Sequence, residues 1–199
     1  MPYHYLVASL PTLTFGDQIP FSSRDFLSRC TGVLKAEHLA ILAAVLHGQT
    51  VQGSSFAASW TARETQLRNA LARFRGARLG VDSRSSERGH AGFDVAMSKA
   101  ITDALAQHTP LEREQALDRC RWHVVEELAL PDPFGLAAVL AFAIKLRIAE
   151  RWAALNETVG ERKVEDFIAA MTNAQSQAAR GNDPELRKRL DRASEMSEP

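Results

Sequence analysis

The sequence has little excess charge of either sign and little cysteine. Its 24 basic residues equal its 24 acidic residues, which argues against a strongly nucleic-acid-binding or membrane-coating surface and makes any charge-based function local. The presence of only two cysteines, Cys30 and Cys120, argues against a disulfide scaffold. It favours the interpretation that both are buried thiols of a protein in a reducing compartment. The first residues contain a short apolar run without basic residues before it, so they do not resemble a signal peptide. We therefore expect a cytoplasmic protein.

Long apolar runs and strand-like alternation are also missing. The charge-free stretch Leu136 to Ile144 is far shorter than the roughly 20 residues of a membrane span, so it indicates a helix surrounded by its neighbours. Beyond it, Ile148, Trp152 and Leu155 recur on one face of the same helix. We therefore predict an all-α fold, an irregular multi-helix bundle of about seven or eight helices.

Composition shifts predict how the chain is organised. A single helical domain is expected over residues 1–180, followed by a short C-terminal helix and a frayed tail over 181–199. The segment 81–92 is rich in serine, glycine and charge and is predicted to be a mobile loop, either within one domain or between two helical lobes. A weaker helix is predicted from Val164 to Ala178.

Capping and turn residues predict several helix boundaries. Ser22 and Ser23 can cap a short helix, and the proline of Thr109–Pro110 suits a first helical turn. Asp132–Pro133 is placed to supply the N-cap and first residue of the helix that contains the apolar stretch. For Tyr3 to Leu10, a short helix and an extended anchor both fit the pattern.

Motifs of known chemistry are absent or incomplete. Gly48 to Ser55 has the glycine spacing of a phosphate-binding loop but lacks the lysine that should follow Gly53. Cys120, His123 and Glu127 share one helix face, but a fourth ligand or a second copy of the motif is missing. No serine-hydrolase elbow or zinc-protease motif occurs. We predict a non-enzyme with no catalytic residue, metal or cofactor; a metal-dependent enzyme built on those three side chains is the less favoured alternative.

The clearest charged feature is a helix that follows Trp60 and stops near Gly80. It carries five arginines between Arg63 and Arg78 and a single carboxylate, that of Glu64. Such a helix can be a docking surface for an acidic partner or an anion. The favoured interpretation is a solvated face that pairs with acidic helices elsewhere, because surface ion pairs are common and weak.

Three segments, in chain order, carry a family resemblance. They are the opening Tyr3 to Leu13, the Arg/Asn helix Leu67 to Arg78, and the helix Asp132 to Leu155. Together they resemble small proteins associated with V-type (A/V-type) ATPase gene clusters. More distantly, they are similar to the C-terminal part of the C-type subunit of that enzyme, whose eukaryotic counterpart is called d.

The resemblance implies an all-helical, non-catalytic subunit or accessory of a proton or sodium V-type ATPase. Its partners would be subunits of the central stalk or the proteolipid ring, at the inner face of the membrane, with no nucleic acid involved. The C-type subunit is longer, and the Lys-x-x-Glu-x-x-Asn pattern of its last helix is here Lys145, Ile148 and Arg151. A shortened link of the C type, a stalk accessory and an assembly factor therefore all fit.

The expected partner contacts are polar residues on two of the resembling segments. Those residues are Arg68, Asn69, Arg73 and Arg78 on the Arg/Asn helix and Lys145 on the last one. The alternative is a cytosolic helical adaptor that binds an acidic protein through the Arg63 to Arg78 helix.

Overall fold

The computed structural model describes residues 3–49, 53–155 and 165–172. This part of the chain is all-α and contains no strand, which confirms the predicted fold class. Residues 1–154 form one compact unit. Its helices are α1 (His4–Ser9), α2 (Ser23–Cys30), α3 (Ala36–Leu46), α4 (Ser55–Leu79), α5 (Val95–Leu105), α6 (Pro110–Ala129) and α7 (Leu136–Ala154), with a 3₁₀ turn at Arg84–Ser86. Among the helices of the described ranges, none has the length and apolar character needed to cross a membrane.

Residues 155–199 form a second unit. Its described part includes a helical stretch over 165–172, inside the range predicted as helix, with exposed Phe167 and Ile168 side chains. The predicted boundary at residue 180 and the predicted short helix and tail of 181–199 lie outside the described residues.

Two helices begin where their capping residues predict. At α2, the Ser22 hydroxyl accepts a hydrogen bond from the Asp25 N–H while the Asp25 carboxylate accepts one from the Ser22 N–H, both at 3.1 Å. Thr109 and Glu112 form the same reciprocal pair at α6, with Pro110 as its first residue. Each pair satisfies two N–H groups that a helix end leaves without a partner.

Helix α7 is the element around which the first unit packs. Residues 139–144 are all buried, and six consecutive residues cover every side of a helix. Helices α1, α2 and α3, the start of α4, the end of α6 and the segments that connect the first helices supply the surrounding apolar side chains. Phe142, for example, lies 4.8 Å from Phe26 of α2 between ring centroids. The prediction that this apolar stretch is surrounded by neighbours is confirmed.

A second, smaller apolar cluster lies between α4, α5 and α6. Helices α5 and α6 are consecutive in the chain and pack against each other as a hairpin. Trp60 and Leu128 pack against both clusters and so connect them. The buried members of the smaller cluster are Leu67, Met97, Ile101, Ala104, Leu117, Cys120 and Val124.

The start of α7 differs from the prediction that placed Pro133 first in the helix. The helix begins at Leu136, because residues 132–135 form a turn in which the Gly135 N–H donates to the Asp132 carbonyl at 3.3 Å. This turn brings the Asp132 carboxylate against Gly135, where an added Cβ would lie 1.9 Å from its Oδ2. Glycine is therefore the residue that this turn accommodates.

Hydrogen bonds define where helices α1 and α4 begin. The open choice for Tyr3 to Leu10 resolves to a helix, α1, whose first N–H bond runs from Val7 to the Tyr3 carbonyl at 2.9 Å. Helix α4 begins before Trp60, because the Ser54 hydroxyl accepts a hydrogen bond from the Ala57 N–H at 3.4 Å and caps it.

Two side-chain amides of α4 hold the segment that was predicted to be a mobile loop. Asn69 Nδ2 donates to the Arg88 carbonyl at 2.7 Å, and Asn69 Oδ1 accepts from the Arg88 N–H at 3.0 Å. Gln66 makes the same two bonds with Asp94, at 2.7 and 3.0 Å. Residues 88–94 are therefore attached to α4 at both ends. The mobility of 81–92 and the choice between one domain and two lobes stay predictions.

We expect the Leu140→Ala substitution to lower the free energy of unfolding by about 2–5 kcal/mol, because it leaves a cavity at a fully buried position of α7. Leu79→Ala removes the same atoms from a side chain that is 76% exposed and should cost less than about 0.5 kcal/mol. Urea unfolding followed by circular dichroism measures both. Equal costs would contradict the central position of α7.

Candidate functional site

A cavity of about 510 Å³ opens between the end of α3, the middle of α4, residues near the 3₁₀ turn, α6 and α7. All of these elements belong to the first unit. The lining contains more guanidinium groups than carboxylates, which makes it electropositive. The arginines are Arg68, Arg88, Arg121, Arg147 and Arg151, and the carboxylates are Glu64 and Asp118.

Glu64 connects α4 to α6 through its carboxylate. Arg121 of α6 donates to it from Nε at 3.0 Å and from Nη2 at 3.2 Å. Arg68, one turn further along α4, donates from Nε at 3.1 Å. The two parallel bonds from Arg121 are the bidentate arrangement in which a guanidinium binds a carboxylate most strongly, so this pair fixes how α4 and α6 face each other.

Asp118 connects α6 to α7, and its side chain is only 1% exposed. Its Oδ1 accepts from Arg121 Nη1 at 2.8 Å and its Oδ2 accepts from Trp152 Nε1 at 2.9 Å. Arg151 Nη1 lies 3.3 Å from the same Oδ2. Burial alone would lower the pKa of Arg121, but the adjacent carboxylates hold it above its ordinary value. The buried negative charge is therefore compensated by two guanidinium groups and an indole N–H.

Arg147 and Arg88 have no carboxylate partner among the described residues. Arg147 Nη1 donates at 2.9 Å to the Val45 carbonyl in the last turn of α3, which also accepts from the Gly48 N–H at 3.0 Å. Burial lowers the pKa of Arg147, opposed by the charges of Glu64 and Glu150, yet a guanidinium stays protonated at neutral pH. The Arg88 side chain is exposed at the cavity, and its hydrogen bonds to α4 run through its backbone.

The structure places four of the five predicted partner-binding residues on α4, and Arg68, Asn69 and Arg73 lie before its last turn. Arg68 and Asn69 both line the cavity. Asn69 is buried, and both polar atoms of its amide are bonded to the Arg88 backbone. Arg73 lies further along the helix and pairs with Glu87 at 2.7 Å. Only Arg68 and Asn69 are brought together at the cavity.

The other two predicted residues lie in different places. Arg78 is exposed near the end of α4, with its guanidinium carbon 5.7 Å from the centroid of the Phe74 ring. Lys145 donates to Glu126 at 2.8 Å and lies 4.7 Å from the centroid of the Trp122 ring. It lines a separate groove of about 310 Å³ beside the end of α1. The partner-binding role of all five residues stays a prediction.

The favoured interpretation of the arginine helix, a solvated face paired with acidic helices elsewhere, differs from what the described residues show. Three of its five arginines pair with carboxylates, but these belong to α4 itself or to residues outside the helices. Arg75 and Arg78 have no carboxylate within ion-pair distance in the part of the chain that is described. The pairs that do form are Arg63–Asp94 at 3.4 Å, Arg68–Glu64 at 3.1 Å and Arg73–Glu87 at 2.7 Å.

Six charged residues that line the cavity were not among the predicted partner-binding residues: Glu64, Arg88, Asp118, Arg121, Arg147 and Arg151. Asp118 and Arg121 stand three positions apart on the face of α6 that also carries Leu117. An acid–base pair at that spacing on an apolar face is a signal that could have revealed them. Arg88 and Arg147 offer no such signal, because the contacts that position them come from distant parts of the chain.

The structure does not bring the thiol of Cys120 to the side chains of His123 and Glu127. Cys120 is buried in the smaller apolar cluster. His123 and Glu127 face outward and lie 3.3 Å apart, with side-chain exposures of 74% and 54%. In the described ranges, no group of three or more histidine, cysteine or acidic residues is arranged to hold a metal ion.

Comparisons with known proteins give one partial match. A family model described as "Protein of unknown function (DUF2764)" matches residues 94–175. That range covers α5, α6 and α7 and leaves α1 to α4 unmatched. Neither a curated protein nor a solved structure matches the chain.

Replacing Asp118 with asparagine should lower the free energy of unfolding by about 3 kcal/mol, because it leaves Arg121 and Arg151 beside a neutral buried group. Glu114→Gln is the matched control, since Glu114 also pairs with Arg151 but is 44% exposed and should cost at most about 1 kcal/mol. Urea unfolding followed by tryptophan fluorescence measures both. Similar costs for the two variants would show that the buried network does not hold the helices together.

Both cysteines should resist alkylation in the folded protein. Burial raises the pKa of Cys30 and of Cys120 from 9.0 to about 11, so neither thiol ionises appreciably at pH 8. As these pKa values are raised in the folded state, the associated stability is complete below pH 9 and is lost as pH rises towards 11.

Iodoacetamide labelling followed by mass spectrometry tests this expectation. The native chain should react only as fast as it unfolds, whereas Ser85→Cys, at an exposed position of the 3₁₀ turn, should add a thiol that reacts at once. Rapid native labelling of Cys120 would contradict its burial.

Proposed function

We propose that this chain is a non-catalytic helical subunit or accessory protein of a V-type ATPase and acts by binding other subunits. The observation that carries the proposal is the ordered resemblance of three separate segments to proteins of V-type ATPase gene clusters. These segments correspond to α1 with the turn after it, the second half of α4, and α7 with the turn before it. The matched family of unknown function assigns no activity and leaves this proposal open.

The packing of the three segments supports interpreting their separate similarities as one family resemblance. Leu6 and Leu13 of the first segment belong to the same apolar cluster as α7. The α4 segment contributes Leu67 to the second cluster, and Trp60 of the same helix packs against both. Segments that are far apart in sequence thus belong to one compact body, as expected for a part that transmits force or holds other proteins together.

A surface suited to an acidic partner lies at the end of α4. We call Phe74, Arg78 and Arg113 the basic tip. The guanidinium carbons of Arg78 and Arg113 lie 5.7 and 5.9 Å from the Phe74 ring centroid. Neither arginine pairs with a carboxylate of the described residues, while Arg113 donates to the Gln107 carbonyl at 2.8 Å. Uncompensated cations beside an aromatic ring are typical of interface anchors.

In this proposal the protein is cytoplasmic and peripheral at the inner face of the membrane. It would serve as a shortened link of the C type between stalk and ring, a stalk accessory or an assembly factor. The coupling ion, proton or sodium, would be set by the membrane ring and not by this chain.

Copurification tests the proposal. Tagged protein expressed in cells that carry the V-type ATPase of the same gene cluster is recovered from membranes after mild crosslinking and detergent extraction. We expect stalk or ring subunits to be recovered with it. We further expect Arg78→Glu to reduce recovery by about tenfold, because it reverses a charge at the contact with an acidic surface.

Arg84→Glu is the matched control, since Arg84 is 87% exposed and pairs locally with Asp82. It should leave recovery unchanged. If unsubstituted protein never recovers a stalk or ring component, the proposed function is wrong, and salt-sensitive recovery of an unrelated acidic protein would establish the adaptor function instead. Equal recovery of the ATPase with Arg78→Glu would retain the function but exclude the basic tip as the contact.

A further inference from the structure

We propose that the arginine-lined cavity binds a small organic oxyanion with two or more negative charges, a phosphate ester or a polycarboxylate. The proposal concerns a ligand site and stands independently of the ATPase assignment. It rests on the charge of the cavity lining, on the size of the cavity and on the way its arginines are positioned.

The charges of the lining do not balance. Five guanidinium groups face two carboxylates, an excess of three positive charges. Two carboxylates outside the lining reduce this excess to one, because Glu114 pairs with Arg151 and the charge of Glu150 acts on Arg147. Since Arg121 is fully engaged by Glu64 and Asp118, the excess is carried by Arg88 and Arg147. This excess would attract an anion, and an anion with two or more negative charges could pair with Arg88 and Arg147 together.

The two arginines without a carboxylate partner are held differently, Arg147 through its side chain and Arg88 through its backbone. Arg147 uses Nη1 for the Val45 carbonyl, which leaves its other N–H groups for a ligand. Beside them stands Gly48, where an added Cβ would lie 2.9 Å from Arg147 Nη2. Because that position is a glycine, the Arg147 guanidinium can lie against the backbone at the cavity wall. The Arg88 backbone is fastened to α4 by Asn69. Guanidinium donors of this kind match phosphate and carboxylate oxygens in pairs.

The size and walls of the cavity indicate an organic ligand and not a bare inorganic ion. A volume of about 510 Å³ lies within the range of sites for small organic molecules. Trp60, Ile144 and Ile148 supply apolar wall, while Thr61 and Ser86 supply hydroxyl groups. An anion with a carbon skeleton would contact both kinds of surface.

Isothermal titration calorimetry on the full chain tests the site with three probes, namely ADP, citrate and inorganic pyrophosphate, each at matched ionic strength. We expect saturable binding of one molecule per chain by ADP or citrate. Tighter binding of ADP would indicate that the ligand is a phosphate ester, and tighter binding of citrate would indicate that it is a polycarboxylate. Pyrophosphate should bind more weakly than the preferred organic probe, because it does not reach the apolar wall.

Two variants locate the binding. Arg88→Gln should weaken it about tenfold without affecting the fold, because this side chain has no partner among the described residues. Arg84→Gln, on the same loop but outside the cavity lining, should leave it unchanged. Circular dichroism and urea unfolding confirm that both variants fold.

Three outcomes would overturn the proposal. They are the absence of saturable binding by ADP and citrate, equal weakening by both variants, and affinity that Arg88→Gln leaves unaltered. Weakening by Arg88→Gln alone, with the fold intact, supports it. Tighter binding of pyrophosphate than of either organic probe would support an anion site but contradict an organic ligand.

Discussion

The buried carboxylate of Asp118 is the constraint on which the arrangement of α4, α6 and α7 depends. It cannot reach water, so the chain must supply its donors, and those donors come from α6 itself and from α7. One of them, Arg121, also binds Glu64 and thereby extends the network to α4. Apolar contacts tolerate small shifts of one helix along another, but a charged hydrogen-bonded network of this kind accepts one register. The position of the cavity follows, because the same side chains form its floor.

The network also lies between two apolar clusters that the chain builds separately. The larger one surrounds α7 and the smaller one joins α4 to the α5–α6 hairpin. Trp60 and Leu128 are the apolar side chains that contact both. The charged groups lie beside both clusters, because Trp152, which donates to Asp118, packs against the larger one and Leu117, next to Asp118 in sequence, belongs to the smaller one.

Interactions between residues close in sequence made much of the fold predictable. The features that were not predicted depend on interactions between distant parts of the chain. Ser22 and Thr109 cap helices through residues three positions away, so a short stretch of sequence contains the whole cause. The start of α7 was misplaced because the Gly135 turn competes with the cap expected at Asp132. Arg68 and Asn69 were identified as polar residues of interest, but the role of Asn69 depends on Arg88, 19 positions away. The cavity could not be predicted, because Arg147 reaches its partner across 102 positions.

The side-chain amides of Gln66 and Asn69 on α4 affect which amino-acid changes the sequence can accept. They recognise Arg88 and Asp94 through main-chain N–H and C=O groups, which every residue except proline possesses in full. The location of position 88 is thus set by atoms common to nearly all amino acids. Its side chain is free to change from one homologous protein to another, so the same framework can present different chemistry to the cavity while the helix beneath it stays the same.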